Sequence, residues 1–187
     1  MCIGVDTALN TIIDAIDKLR DTASSHNRAF LVETMGRNCG YLAVMAGVTC
    51  GADIVLIPEY QVSVDEVVKG VTDAYLRGKS HAVIIVAEGY ATSVTDLALA
   101  LEKAGIGFES RVTILGHIQR GGKPSAYDRL LSARFGIKAV EFLLEGKSDV
   151  MTGLRGNEVL PIPITEIIAK HREINPEYYE MARILAR

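Results

Sequence analysis

No stretch of this 187-residue sequence reaches the ~18 consecutive apolar residues that a membrane-crossing helix needs. Residues 1–10 carry Asp6 and no basic segment, so they lack the make-up of a secretory signal. Cysteine is scarce and unpatterned. Cys2, Cys39 and Cys50 form an odd count without metal-ligand spacing, which points to reduced thiols in a cytoplasmic protein. Basic runs are missing as well. Lys and Arg number 20 against 23 Asp and Glu, for a net charge of −3, so neither nucleic acid nor an anionic membrane is an expected partner. The phosphate-cradling pattern GxxxxGK[ST] does not occur. No repeat, low-complexity segment or linker divides the chain. These absences leave a soluble, cytoplasmic, globular protein.

What is present is alternation. Residues 7–20 place Leu9, Ile12, Ile13, Ile16 and Leu19 on one helix face. After a polar loop at 21–27, strands are expected at 29–34, 54–57, 82–87 and 112–115. Helices are expected between them at 41–49, 64–76 and 94–104, and after them at 125–144. This is the pattern of an α/β protein, a parallel βαβ sheet with right-handed crossovers and flanking helices. The end of the chain differs. Residues 151–153 and 159–162 flank Arg155-Gly156-Asn157 as a short hairpin, Pro161 and Pro163 break the pattern, and short helices follow at 164–170 and 176–185.

The most informative stretch is 111–124. A continuous apolar run at 112–115 reads as a strand buried on both faces, and it leads into Gly116-His117-Ile118-Gln119-Arg120-Gly121-Gly122. In open α/β sheets, ligands sit beyond the carboxyl ends of the strands. Two other strands end in similar chemistry, 29–34 at Met35-Gly36-Arg37 and 82–87 at Glu88. Parallel strands put these ends on one edge. Arginine's planar fork suits phosphate, and Glu88 suits sugar hydroxyls, so the set fits an anionic, hydroxyl-rich small molecule. Taken singly each residue has a plainer reading: a helix N-terminal charge for Glu88, a solvated loop charge for Arg37, a satisfied turn histidine for His117. A second set lies before strands, on the opposite edge: Arg20, His26, Arg28, Gly51, Asp53, Arg77, Lys79 and His81. Two readings stand for it. It is a second anion site, with Asp53 meeting a cation bridged to phosphate, or it is basic residues closing helix carboxyl ends.

Phe30-Leu31-Val32-Glu33-Thr34-Met35-Gly36-Arg37-Asn38-Cys39-Gly40, Ala87-Glu88-Gly89 and the run from Arg111 to Gly122 resemble the bacterial-type 6-phosphofructokinase family. The segments 6–10 and 20–26 resemble it too. The resemblance implies a phosphofructokinase-like fold and the ATP-dependent conversion of fructose 6-phosphate to fructose 1,6-bisphosphate in glycolysis, with Mg2+. It implies that Met35, Gly36, Arg37, Glu88, His117 and Arg120 bind fructose 6-phosphate, Arg37 lying also near the transferred phosphoryl group. Arg28 and Arg111, both read as preceding strands, would reach into a neighbouring subunit's site, in a homo-oligomer that is a tetramer in the family. Arg20, Gly51, Asp53, Arg77, Lys79 and His81 match its allosteric site for ADP and phosphoenolpyruvate. There are departures: Asp53 is shorter than the usual glutamate, Ser80 replaces a common second lysine, and Lys123 replaces a small serine. The family's Gly-Gly-Asp-Gly-Ser and Thr-Ile-Asp-Asn-Asp motifs, which hold nucleotide and metal and supply the base, are absent. Residues 1–187 are therefore expected to be the substrate-binding, carboxyl-terminal portion without the nucleotide-binding portion, inactive alone. The pyrophosphate-dependent enzyme of the same family, and a non-catalytic sugar-phosphate-binding module, stand as alternatives.

Overall fold

Four apolar segments pair into one parallel sheet in the order β2-β3-β1-β4. The computed structural model describes residues 2–23, 27–169 and 174–186, so His26 of the polar loop lies outside the described residues. The elements run α1 (Val5–Ala23), β1 (Arg28–Thr34), α2 (Tyr41–Cys50), β2 (Ile54–Leu56), α3 (Val64–Leu76), β3 (His81–Ala87), α4 (Val94–Ala104) and β4 (Glu109–Ile114). A 3-10 helix (Gly116–Arg120), α5 (Ala126–Leu144), the hairpin β5 (Val150–Arg155) and β6 (Glu158–Pro163), α6 (Ile164–Ile168) and α7 (Pro176–Leu185) follow. By their contacts, Ala8–Gly121 with Ile174–Arg187 form one compact unit, and Met1–Thr7 with Gly122–Glu173 form another.

In the sheet unit the period of two is plain. Phe30, Val32, Val83 and Ile85 pack on one face against Ile12 and Ile16 of α1 and Ala43, Val44 and Ala46 of α2. The alternate residues Ala29, Leu31, Ile84 and Val86 pack on the other against Val67 and Val71 of α3 and Leu97 and Leu101 of α4. Each fully buried Val, Leu, Ile or Phe among them contributes roughly 1.5–3 kcal/mol. Helix α2 sits close to the sheet because Gly47 faces Val55, where a Cβ would lie 2.3 Å from Val55 Cγ2. Ser63 and Glu66 start α3 with a reciprocal capping box.

The fourth strand departs from expectation. It spans Glu109–Ile114 and is an edge strand, with Val112 38% and Ile114 57% exposed. An apolar run is common to central and edge strands, and only the strand order shows that, among the described residues, β4 pairs with β1 alone. Leu115, just past it, is the residue that reaches the core. Strand β2 stops at Leu56, and Ile57 forms an isolated bridge with Tyr60. In the other unit, β6 includes Pro161 and Pro163, which pair with Thr152 and Val150. They lie at alternate positions, so both missing N–H groups fall on the side away from β5. Helix α6 is shorter than expected, and Lys170 lies outside the described residues.

Asp128, buried on α5, starts α1 from a distance. Its carboxylate accepts the Gly4 N–H at 2.9 Å, the Thr7 N–H at 2.8 Å and the Thr7 hydroxyl. Thr7 Oγ1 in turn accepts the Ser125 N–H at 3.0 Å. Burial pushes the Asp128 pKa up, but the bonds from the Thr7 side chain and the Thr7 and Gly4 amides outweigh it and hold the value below that of an ordinary aspartate. A depressed folded-state pKa means that this stability is fully present above the unfolded value of about 3.9 and is lost as pH falls through the lower folded value. Asp128→Asn is expected to cost about 1–3 kcal/mol at neutral pH. Thermal melts of the two proteins should differ at pH 7 and converge on acidification; equal melts at pH 7 would remove this role.

Candidate functional site

Strand order brings the three strand ends expected to meet a ligand side by side, since β1 lies between β3 and β4. Thr34 is level with Ala87, and Glu33 with Ile114, so β1 and β3 stop together and β4 one residue earlier. Beyond them stand Glu88, the segment Met35-Gly36-Arg37 and the 3-10 helix Gly116–Arg120. Gly116, at φ 51°, makes the abrupt exit from β4. Arg37, His117 and Arg120 are exposed on this rim, two guanidiniums and an imidazole from two neighbouring strand ends.

The loop after β1 is tightly built. Arg37 has φ 52°, a left-handed conformation unusual for a residue with a side chain. Gly89 makes room for it, because a Cβ there would lie 2.2 Å from the Arg37 carbonyl oxygen. Glu88 accepts the Gly36 N–H at 3.1 Å and the Arg37 N–H, both on Oε1, while its own N–H donates to Thr34 O at 2.9 Å. Glu88 is expected to meet sugar hydroxyls or to act as a helix N-terminal charge; here one of its carboxylate oxygens holds loop backbone. Glu33 lies near it, and burial first, then the Glu88 charge, raises the Glu33 pKa above the ordinary value.

Three residues that carry no role in the sequence reading take part. Gln119, 2% exposed, accepts the Met35 N–H at 2.9 Å and donates to Met35 O at 3.3 Å. Glu59 accepts the Gly40 N–H through both oxygens, at 3.0 and 3.1 Å. Glu33 is the third. Glu59 was discoverable, since it follows the fourth parallel strand, β2, whose end meets the same rim. Gln119 stood inside the motif, but its spacing gives no sign of a partner 84 residues away.

On the opposite edge, a cavity of about 350 Å³ is lined by Arg20, Gly51, Asp53, Gly78, Lys79, Ser80 and His81. Arg20 donates to Gly51 O at 2.9 Å, and Ser80 Oγ lies 3.2 Å from His81 Nδ1. Asp53 pairs with Lys79 through one oxygen and accepts the Val83 N–H at 2.8 Å through the other. Arg77 caps the carboxyl end of α3 and is not among the lining residues, and His81 opens β3 instead of preceding it. Asp53 is also expected to meet a cation bridged to phosphate; among the described residues no group of three or more His, Cys, Asp or Glu side chains able to hold a metal occurs.

Arg28 and Arg111 were both expected ahead of their strands. Arg28 opens β1, but Arg111 lies inside β4, which begins at Glu109. The reason is the unbroken ladder with β1, in which Arg28 is level with Glu109 and Phe30 with Arg111. Both guanidiniums turn to one carboxylate: Arg28 Nε lies 3.3 Å from Glu109 Oε2, and Arg111 pairs with Oε1. They stand at the starts of the strands, away from the rim at their ends.

A sequence model of the phosphofructokinase family matches residues 1–143. An ATP-dependent 6-phosphofructokinase of Thermotoga neapolitana is 50% identical over 186 residues, covering 100% of this chain and 58% of that protein. One from Clostridioides difficile is 48% identical over 98% of this chain and 57% of its own length. Among solved structures, phosphofructokinase from Saccharomyces cerevisiae superposes with a TM-score of 0.84 at 34% identity, over 100% of this chain and 26% of that one. The Pichia pastoris enzyme in the T-state gives 0.80 at 35% identity, over 87% and 19%. The chain thus spans about 58% of the length of the curated relatives it matches. On the family match and on these identities along the same fold, the chain belongs to the phosphofructokinase family.

Proposed function

We propose that this chain supplies the fructose 6-phosphate site and an effector site of an ATP-dependent 6-phosphofructokinase, as its substrate-binding portion. The observation that carries the reading is the convergence of Arg37, His117 and Arg120 with Glu88 on the adjoining ends of β3, β1 and β4. The naming of relatives 50% and 48% identical as ATP-dependent 6-phosphofructokinases supports it. In this reading Met35, Gly36, Arg37, Glu88, His117 and Arg120 hold the sugar phosphate. The guanidiniums take the phosphate oxygens, and Glu88 offers its second oxygen to a hydroxyl. Arg37 also faces the phosphoryl group in transit, where a fixed positive charge stabilises developing negative charge. The reaction moves the terminal phosphoryl group of ATP to a hydroxyl of fructose 6-phosphate, giving fructose 1,6-bisphosphate, ADP and a proton, in glycolysis and in the cytoplasm.

In this reading the nucleotide and its Mg2+ are not held by this chain, whose sequence has no P-loop pattern and lacks the family's Gly-Gly-Asp-Gly-Ser and Thr-Ile-Asp-Asn-Asp motifs. The nucleotide, its metal and the base belong in this reading to the part of the relatives' length that the chain does not span. Arg28 and Arg111, at the other edge, serve a neighbour's sugar-phosphate site in a homotetramer. The cavity lined by Arg20, Asp53, Lys79 and His81 takes ADP or phosphoenolpyruvate, with Arg77 nearby on α3.

Charge-assisted hydrogen bonds contribute about 1.5–3 kcal/mol each, so Arg120→Ala in the protein at its natural full length is expected to weaken fructose 6-phosphate binding at least ~10-fold. Unchanged KM and kcat would overturn the assignment. Lys79→Ala should weaken inhibition by phosphoenolpyruvate and leave kcat at saturating sugar phosphate near wild type; inhibition curves that superimpose would move the effector elsewhere. The 187-residue chain by itself should show no turnover in a coupled assay with either ATP or pyrophosphate. Turnover above background would place the base and the donor site within it.

A further inference from the structure

The ladder between β1 and β4 ends one rung too soon. In a parallel pair, alternate residues turn both their N–H and their C=O to the same neighbour. Glu33 O accepts from Leu115 N at 3.2 Å, on the β4 side, and Thr34 O accepts from Glu88 N at 2.9 Å, on the β3 side. Met35 therefore faces β4 again, but β4 has ended at Ile114 and Gly116 has turned the chain into the 3-10 helix. Gln119 fills the gap. Its carboxamide accepts the Met35 N–H and donates to Met35 O, as strand backbone would have done, from a side chain that is 2% exposed.

We propose that Gln119 is a positioning residue that sets the spacing between the two arms of the sugar-phosphate site, Met35-Gly36-Arg37 on one side and His117 with Arg120 on the other. This rests on the reading of the rim given above. Gln119 is flanked in the 3-10 helix by His117 and Arg120, and its amide is bonded to the first residue of the Arg37 arm. Only a group with one donor and one acceptor at this distance satisfies both Met35 atoms. Leucine satisfies neither. Glutamate satisfies both when protonated and only the N–H when charged, because its carboxylate then faces the Met35 carbonyl oxygen without a proton between them.

The test compares Gln119→Glu and Gln119→Leu with wild type in the protein at its natural full length, from pH 6 to pH 8. At pH 8 both variants should raise KM for fructose 6-phosphate by ~10-fold or more with a smaller change in kcat, since misplaced ligand groups weaken sugar-phosphate binding. On lowering the pH, Gln119→Glu should return towards wild type measured at the same pH, while Gln119→Leu should not. Amide exchange at Met35, corrected for the intrinsic effect of pH, should be faster than wild type in Gln119→Leu throughout and in Gln119→Glu only at high pH. A KM equal to wild type in both variants overturns the proposal, as does an equal deficit in Gln119→Glu at every pH, which would make Gln119 a merely structural residue. If wild type neither binds nor phosphorylates fructose 6-phosphate, the functional reading fails, and the exchange of Met35 alone then decides whether Gln119 holds this arm.

Discussion

Backbone groups that leave a sheet must find partners elsewhere, and the segment after β1 shows how far that requirement shapes this molecule. Four amides, those of Met35, Gly36, Arg37 and Gly40, end on side-chain oxygens. The oxygens come from Gln119 beyond β4, Glu88 beyond β3 and Glu59 beyond β2. Every other strand of the sheet thus sends one side chain to the loop that follows β1. Because the strands are parallel, all these ends are within reach, and an antiparallel neighbour would have offered its start instead.

The same requirement sets the electrostatics of the rim. Glu88 and Glu59 direct carboxylate oxygens to backbone amides, while Glu33 has its pKa raised by burial first and then by the Glu88 charge. Arg37, His117 and Arg120 remain turned to solvent. A rim built with acidic side chains consequently presents its donors outward. Arg37 owes that position to its left-handed backbone, which the two amide bonds to Glu88 and the bare Cα of Gly89 sustain.

At the other end of the strands the chemistry is repeated with different parts. Asp53 and Val83 exchange bonds in both directions, the Asp53 N–H donating to Val83 O at 2.8 Å and the Asp53 carboxylate accepting from Val83 N. Val83 belongs to β3, whose far end leads to Glu88. One seven-residue strand therefore joins the cavity of Lys79 and Asp53 to the loop of Arg37. If the cavity and the loop bind ligands as proposed, a coupling between them acts equally in both directions when expressed as binding free energy.

The alternation of apolar and punctuating residues was enough to find each sheet strand and the helix that follows it, though not the start of β4, because period two and period 3.6 are properties of the chain itself. It was enough, too, to put Met35-Gly36-Arg37, Glu88 and His117 with Arg120 on one edge, since parallel strands leave no other choice. Residues matched by motif, Arg20, Asp53, Lys79 and His81, do share a cavity. What the chain order could not convey was strand order. That decided that β4 is an edge strand with Val112 and Ile114 exposed, that Arg111 lies within it, and that Arg28 and Arg111 share Glu109. It also decided the uses of Gln119 and Glu59. A glutamine in a turn is legible as polar, but its partner is a backbone group 84 residues away, and nothing in local spacing registers a bond that exists only after β1 and β4 have become neighbours.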